Sequence, residues 1–160
     1  MIDFGKLQAD VVKNWCKYDY FISDYKSYND VEICGNTYIP IVYRNCAIYF
    51  IPVKFYKLSK EFNEKLDKLK QIIDDVTEAD ELTVTNSIEE SSGSITESSR
   101  IMMKKFKDTE GNDIWLNLKL LKPFKDNIKF YGKGDVVLVK DRSTNQPLGI
   151  VLAIHRNGDK

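Results

Sequence analysis

Six lysines have the residue type and spacing most easily turned into chemistry. Lys6, Lys13 and Lys17 fall within about 40° of one another at roughly 100° per residue of helix. Lys119, Lys122 and Lys125 recur every third residue just after Asn117. Lysines gathered on one helical face can contact phosphate oxygens without reading bases. Asp10 interrupts the first set, and a solvated surface helix would show the same spacing.

Groups able to catalyse are harder to assemble. His155 is the single histidine, and it ends the apolar run Ile150-Val151-Leu152-Ala153-Ile154, which suits a strand end better than a general base. Cys16, Cys34 and Cys46 lack the spacing of metal ligands. Gly132-Lys133-Gly134-Asp135 has a Gly-Lys pair but not the length or the Ser/Thr of a phosphate loop. Asp108-Thr109-Glu110-Gly111-Asn112-Asp113 superficially suggests a calcium loop, yet lacks the twelve-residue ladder and its closing glutamate, so a hairpin turn is expected. Asp74-Asp75 reads as a solvated helix end. The expectation is a protein that is not an enzyme and that uses no metal and no cofactor.

The chain has 160 residues, with 24 basic and 24 acidic side chains giving zero net charge, which argues against a general nucleic-acid coat protein. The neutral total hides a separation: Asp74 to Glu97 holds eight acids and no base, while Arg100 to Arg142 holds eleven bases against six acids. Hydrophobic residues make up 42%, with nine Tyr, eight Phe and two Trp, enough to build a core. No apolar run approaches the ~20 residues of a membrane span. Met1-Ile2-Asp3-Phe4 does not open like a signal peptide. The odd cysteine number suits reduced thiols. A cytoplasmic location follows as an expectation.

The elements that must position these lysines are legible in outline. Phe4, Leu7, Val11 and Trp15 predict a helix. Tyr18–Ser23, Val31–Cys34, Thr37–Val42 and Ala47–Val53 predict strands, with turns at Gly35-Asn36 and Arg44-Asn45. A helix is expected from Ser59 to Val76 along Phe62, Leu66, Leu69, Ile73 and Val76. A short strand Leu82–Thr85 and a Ser/Thr/Glu-rich loop over Asn86–Ser99 follow. Arg100–Lys107 and Ile114–Leu116 read as strands, Asn117 caps a short helix that Pro123 stops, and Asn127–Tyr131, Asp135–Lys140 and Pro147–Ile154 close the chain as strands. The predicted class is α+β, a mostly antiparallel sheet with two or three helices on one face. It forms one domain over 1–160, with half-repeats near 4–53 and 82–156 joined by the helix at 59–76 and the acidic loop. Trp15 and Trp115 are expected in the core.

The C-terminal half resembles the DNA sliding clamps. Leu82-Thr83-Val84-Thr85, an acidic stretch, and Ile114-Trp115-Leu116-Asn117-Leu118-Lys119-Leu120-Leu121 are similar to the strand, acidic strand pair and helix-opening segment of a clamp half-domain. Trp115 to Phe124 and Leu148-Gly149-Ile150-Val151-Leu152-Ala153-Ile154 are also similar to segments of small phage and prophage proteins. The likeness covers about residues 82–156, departing at Ala153 and His155, where proline and arginine are usual. It implies a single clamp-like domain, with inner helices facing duplex DNA and a closing strand, here Ile150, Leu152 and Ile154, available to partner peptides. Two functions are therefore expected. One is a clamp-like module of phage origin, in the host cell's cytoplasm, acting in DNA replication or engaging DNA or a replication-associated protein, with self-association possible. The alternative is a protein-interaction inhibitor of a host defence or replication factor, using the acidic Asp74–Glu97 block.

Overall fold

The structure, a computed structural model, describes residues 1–18, 22–58, 69–90 and 101–154. Ser59, Phe62 and Leu66 of the expected second helix, the Ser/Thr-rich stretch beyond residue 90, and His155 lie outside the described residues.

The molecule is α+β and its strands pair antiparallel. Helix α1 (Phe4–Lys17) leads into β1 (Tyr25–Ser27), β2 (Val31–Ile33), β3 (Asn36–Tyr43) and β4 (Ala47–Pro52). A 3₁₀ turn over Val53–Phe55 follows, then α2 (Leu69–Thr77), β5 (Asp80–Glu81), β6 (Thr83–Glu90), β7 (Met102–Lys107) and β8 (Asp113–Asn117). The short α3 (Leu118–Leu121) precedes β9 (Ile128–Lys133), β10 (Val136–Asp141) and β11 (Pro147–Leu152). The large sheet runs β1-β3-β4-β11-β10-β9-β5, with β2 also on β3, and β6-β7-β8 form a smaller sheet. The central seam joins the β3–β4 hairpin to the β10–β11 hairpin through Tyr49↔Gly149, Ile48↔Ile150 and Ala47↔Val151. Gly149 belongs there because a Cβ would stand 2.5 Å from the Ile48 carbonyl oxygen.

Period-two alternation gives the large sheet two buried faces. Ile39, Ile41, Tyr49, Ile51, Val137, Val139 and Val151 face Leu7, Val11 and Leu120, so α1 and α3 share one side. Tyr38, Phe50, Leu138 and Ile150 face Ile73 and Val76, which puts α2 on the other side. The expected pair of helices on one face is therefore α1 and α3, and the third helix covers the opposite face. The small sheet docks through Phe106, whose ring lies 4.7 Å from that of Phe130.

Three local expectations need correction. Of the expected strand Tyr18–Ser23, residues 19–21 lie outside the described residues; α1 runs on to Lys17, and the first strand among the described residues begins at Tyr25. The β2–β3 turn centres on Cys34-Gly35, one residue early, since both take positive φ (50° and 73°) as a two-residue primed turn requires. Finally, β6 continues through Glu90 where a loop was expected. A bulge between Val84 and Ile88 absorbs the irregularity, the Thr85 hydroxyl donates to the Lys105 carbonyl at 2.7 Å, and Ile88–Glu90 pair with Lys104–Met102.

Candidate functional site

One antiparallel bridge, closed by two backbone hydrogen bonds, brings α1 beside α3. Ile2 bridges Phe124, the Asp3 N–H donates to the Pro123 carbonyl at 3.3 Å, and the Lys125 N–H donates to the Met1 carbonyl at 2.6 Å. Beneath them, the buried Tyr49 hydroxyl donates to the Leu120 carbonyl at 3.0 Å. Burial pushes that phenol well above its ordinary range, so it stays a donor. The Asp3 carboxylate caps α1 by accepting from the Lys6 N–H at 3.0 Å, and Asn117 caps α3 by accepting from the Lys119 N–H at 2.9 Å. Four residues of helix ending before Pro123 hold Lys119 and Lys122 close together.

Lys6, Lys119 and Lys122 consequently line one recess of about 150 Å³, together with Asp3, Asp10 and a wall of Tyr25, Tyr43 and Tyr49. Small-molecule pockets usually span roughly 300–1,000 Å³, so this one suits a single phosphate-sized group. The rings of Tyr25 and Tyr43 lie 4.9 Å apart. Tyr43 has the Arg44 guanidinium 5.6 Å and the Lys119 ammonium 5.8 Å from its centroid. Burial, with Tyr43, Asp10 and Asp24 nearby, pushes the Tyr25 phenol up to about 12. The backbone N–H of Lys6 first, then the Lys125 ammonium at 3.1 Å, hold the Asp3 carboxyl below its ordinary value. None of the three recess lysines has an ion-pair partner among the described residues.

The remaining lysines separate by role. Lys13 and Lys17 stand seven and eleven residues from Lys6, so they continue its stripe about 10 and 16 Å along α1, outside the recess. The Lys17 ammonium sits 5.0 Å above the Tyr18 ring. Lys125 is committed to Asp3. Of the closing-strand residues, Ile150 is 2% exposed beneath α2, so it is core and offers no surface to a partner. The cause is its place on a central strand between β4 and β10. Leu152 is 38% exposed, and the half-buried Ile154 is fixed by its N–H donating to the Trp115 carbonyl at 2.8 Å.

The Asp108 turn closes on itself, its carboxylate accepting from the N–H groups of Glu110 and Asn112 at 2.9 and 2.8 Å. Among the described residues no group of three His, Cys, Asp or Glu is placed to hold a metal. Nor is any helix among them long and apolar enough to cross a membrane. Cys16, Cys34 and Cys46 are free and exposed. Sequence reasoning missed the tyrosine wall, whose members come from β1, β3 and β4, and no spacing signal joins them. Set against protein-family models, curated proteins and solved structures, the chain matches none.

Proposed function

We propose that the chain is a non-enzymatic, clamp-like module of phage origin that holds duplex DNA, without sequence preference, against the face shared by α1 and α3. The observation that carries this reading is the convergence of Lys6, Lys119 and Lys122, from two helices far apart in sequence, on one phosphate-sized recess. The stripe through Lys13 and Lys17 extends the positive edge along α1 in the manner of a backbone-tracking surface. The residue likeness to sliding clamps over 82–156 supports the same side of the sheet as the inner one. A local cluster on a neutral chain favours weak, salt-sensitive contact over tight static binding.

The test is fluorescence anisotropy of a short labelled duplex across a salt series. Changing Lys6, Lys119 and Lys122 to Gln should lower the slope of log K against log salt by about one, the share of the single phosphate that the recess accommodates. An absence of binding at low salt, or a slope unmoved by the triple change, rules the reading out.

A second reading has its own observation. The acids Asp80, Glu81, Glu89 and Glu90 are all exposed along β5 and β6, beside Val84 and Ile88, which are 46% and 51% exposed. Such a strand suits a protein partner with a basic surface. Capture of a basic host protein that persists in Lys6/Lys119/Lys122→Gln and is lost in Val84→Ser/Ile88→Ser would favour an interaction inhibitor.

A further inference from the structure

The recess contains two carboxylates in very different circumstances. Asp3 is engaged twice, accepting the Lys6 N–H at 3.0 Å and pairing with Lys125 at 3.1 Å, so its charge is answered locally. Asp10 is half-buried on the recess wall, close enough to Tyr25 to raise its phenol, yet it has no hydrogen bond or ion pair among the described residues. Lys6 precedes Asp10 by four residues on the same helix face. That order is the weaker one for an i,i+4 pair, because an acid pairs better when it lies N-terminal to the base. Lys6, Lys119 and Lys122 likewise have no ion-pair partner among the described residues. The free charge inside the recess is therefore three cations and one anion.

A lone carboxylate in an anion-sized recess weakens every anion that enters, and the repulsion scales with the charge of the entering group. We infer that Asp10 is the specificity-determining residue of this recess, narrowing the advantage that doubly charged phosphomonoesters and free phosphate would otherwise hold over singly charged phosphodiesters. This inference deepens the reading of the recess as a phosphate contact for DNA and rests on it. Without Asp10, three lysines around about 150 Å³ would form a trap for the small dianions that compete with a polymer backbone. With it, the free charge falls from three to two and the advantage of a dianion shrinks in proportion. Among the described residues Asp10 makes no hydrogen bond, so its replacement should leave the fold of α1 in place.

The experiment uses the whole chain and two small probes, inorganic phosphate above its second ionisation and dimethyl phosphate, each titrated by NMR at constant ionic strength. Duplex DNA is titrated in parallel by anisotropy. Asp10→Asn should tighten dimethyl phosphate and each DNA contact by about threefold, and tighten inorganic phosphate by the square of that factor, about ninefold. The ratio of diester to dianion affinity then drops about threefold, and Asp10→Glu keeps the parent ratio. Equal tightening of both probes, or none, overturns the inference. The DNA reading fails separately, when the parent chain does not bind duplex or when Lys119→Gln/Lys122→Gln leaves duplex binding unchanged. The ratio between the two small probes reads the inference independently of that outcome.

Discussion

Helices α1 and α3 occupy the same face of the large sheet, each followed by antiparallel strands, yet they are built to opposite designs. The first has 14 residues, a carboxylate cap and a buried stripe through Leu7 and Val11. The second has four residues, an amide cap and one buried side chain, Leu120. A four-residue helix has too few hydrogen bonds to hold itself. It is held instead by what surrounds it: the Tyr49 hydroxyl beneath, Trp115 and Leu116 before it, and Phe124 after it. Length spreads charge, and shortness concentrates it. Along α1 only Lys6 reaches the recess, whereas α3 delivers both Lys119 and Lys122.

The largest test of this contrast compares the two tryptophans. Trp115 is 3% exposed and Leu116, beside it, is fully buried, so Trp115→Ala should cost ~3–5 kcal/mol by urea unfolding. Trp15 was expected to match it but is only half-buried, and its indole N–H donates to the Tyr25 carbonyl at 2.9 Å. Trp15→Ala should cost less, about 1–3 kcal/mol. Equal losses would mean that α1 is as dependent on its neighbours as α3. A second test strikes the seam. A Cβ at Gly149 meets the Ile48 carbonyl oxygen at 2.5 Å and the Phe124 ring at 3.0 Å, so Gly149→Ala should cost about 1–3 kcal/mol. At Gly132 the obstruction is the Leu82 side chain, at 2.8 Å, which can turn aside, and Gly132→Ala should cost less. A smaller effect follows from Tyr49→Phe, which removes the hydrogen bond between β4 and α3. It should cost about 1 kcal/mol and broaden the amide signals of Lys119 and Lys122 while leaving those of Lys13 and Lys17 sharp.

How much of this was legible in the residues follows from the range of the forces involved. The apolar spacing of Phe4, Leu7, Val11 and Trp15 encodes α1 locally, and Asn117 with Pro123 brackets α3 in the same way. Strands β3, β4, β10 and β11 read correctly because β-branched and aromatic residues pack well on both faces of a covered sheet. The extension of β6 through Asn86, Ser87 and Glu90 could not be read, since its pairing with β7 decides it rather than its own side chains. Half of the candidate site was visible, namely the lysines. Its wall was not, because Tyr25, Tyr43 and Tyr49 meet only once the register Tyr25↔Tyr43 and Ile41↔Tyr49 is fixed. The burial of Ile150 was hidden for the same reason: no periodicity in β11 tells which neighbour covers it.

The caps allow a gentler test. The Asp3 carboxyl is held below 3.8 in the folded chain, by the Lys6 N–H first and Lys125 second. A depressed folded value means that the ionised form favours folding. That stability is fully present above the ordinary value of 3.8 and is lost as pH falls below it through the folded value. Asn117, the cap of α3, does not titrate. Below pH 3.8 the Asp3→Asn variant should therefore lose stability less steeply than the parent, in unfolding curves taken at successive pH values. Parallel curves would show that the Asp3 contact forms equally in the unfolded chain.

The smallest expected change in stability belongs to the lysines themselves, and there the two helices should part most clearly in binding. All of Lys13, Lys17, Lys119 and Lys122 are exposed, so changing any of them to Gln should move stability by no more than roughly 0.5 kcal/mol. The pair Lys119→Gln/Lys122→Gln takes two of the three lysines from the one recess phosphate and should lower the salt slope for duplex DNA by up to about one. The pair Lys13→Gln/Lys17→Gln lies about 10 and 16 Å along α1 from Lys6, where a straight duplex meets the helix only by following its axis. A drop of about two for this second pair means that the duplex tracks α1, and that the stripe and the recess act as one surface. A drop near zero means that the duplex crosses α1 at the recess and touches only Lys6 there. Either result fixes the direction of the duplex across the face. A loss of slope confined to Lys13 and Lys17, with Lys119 and Lys122 silent, would move the contact off α3 and leave the recess without a part in it.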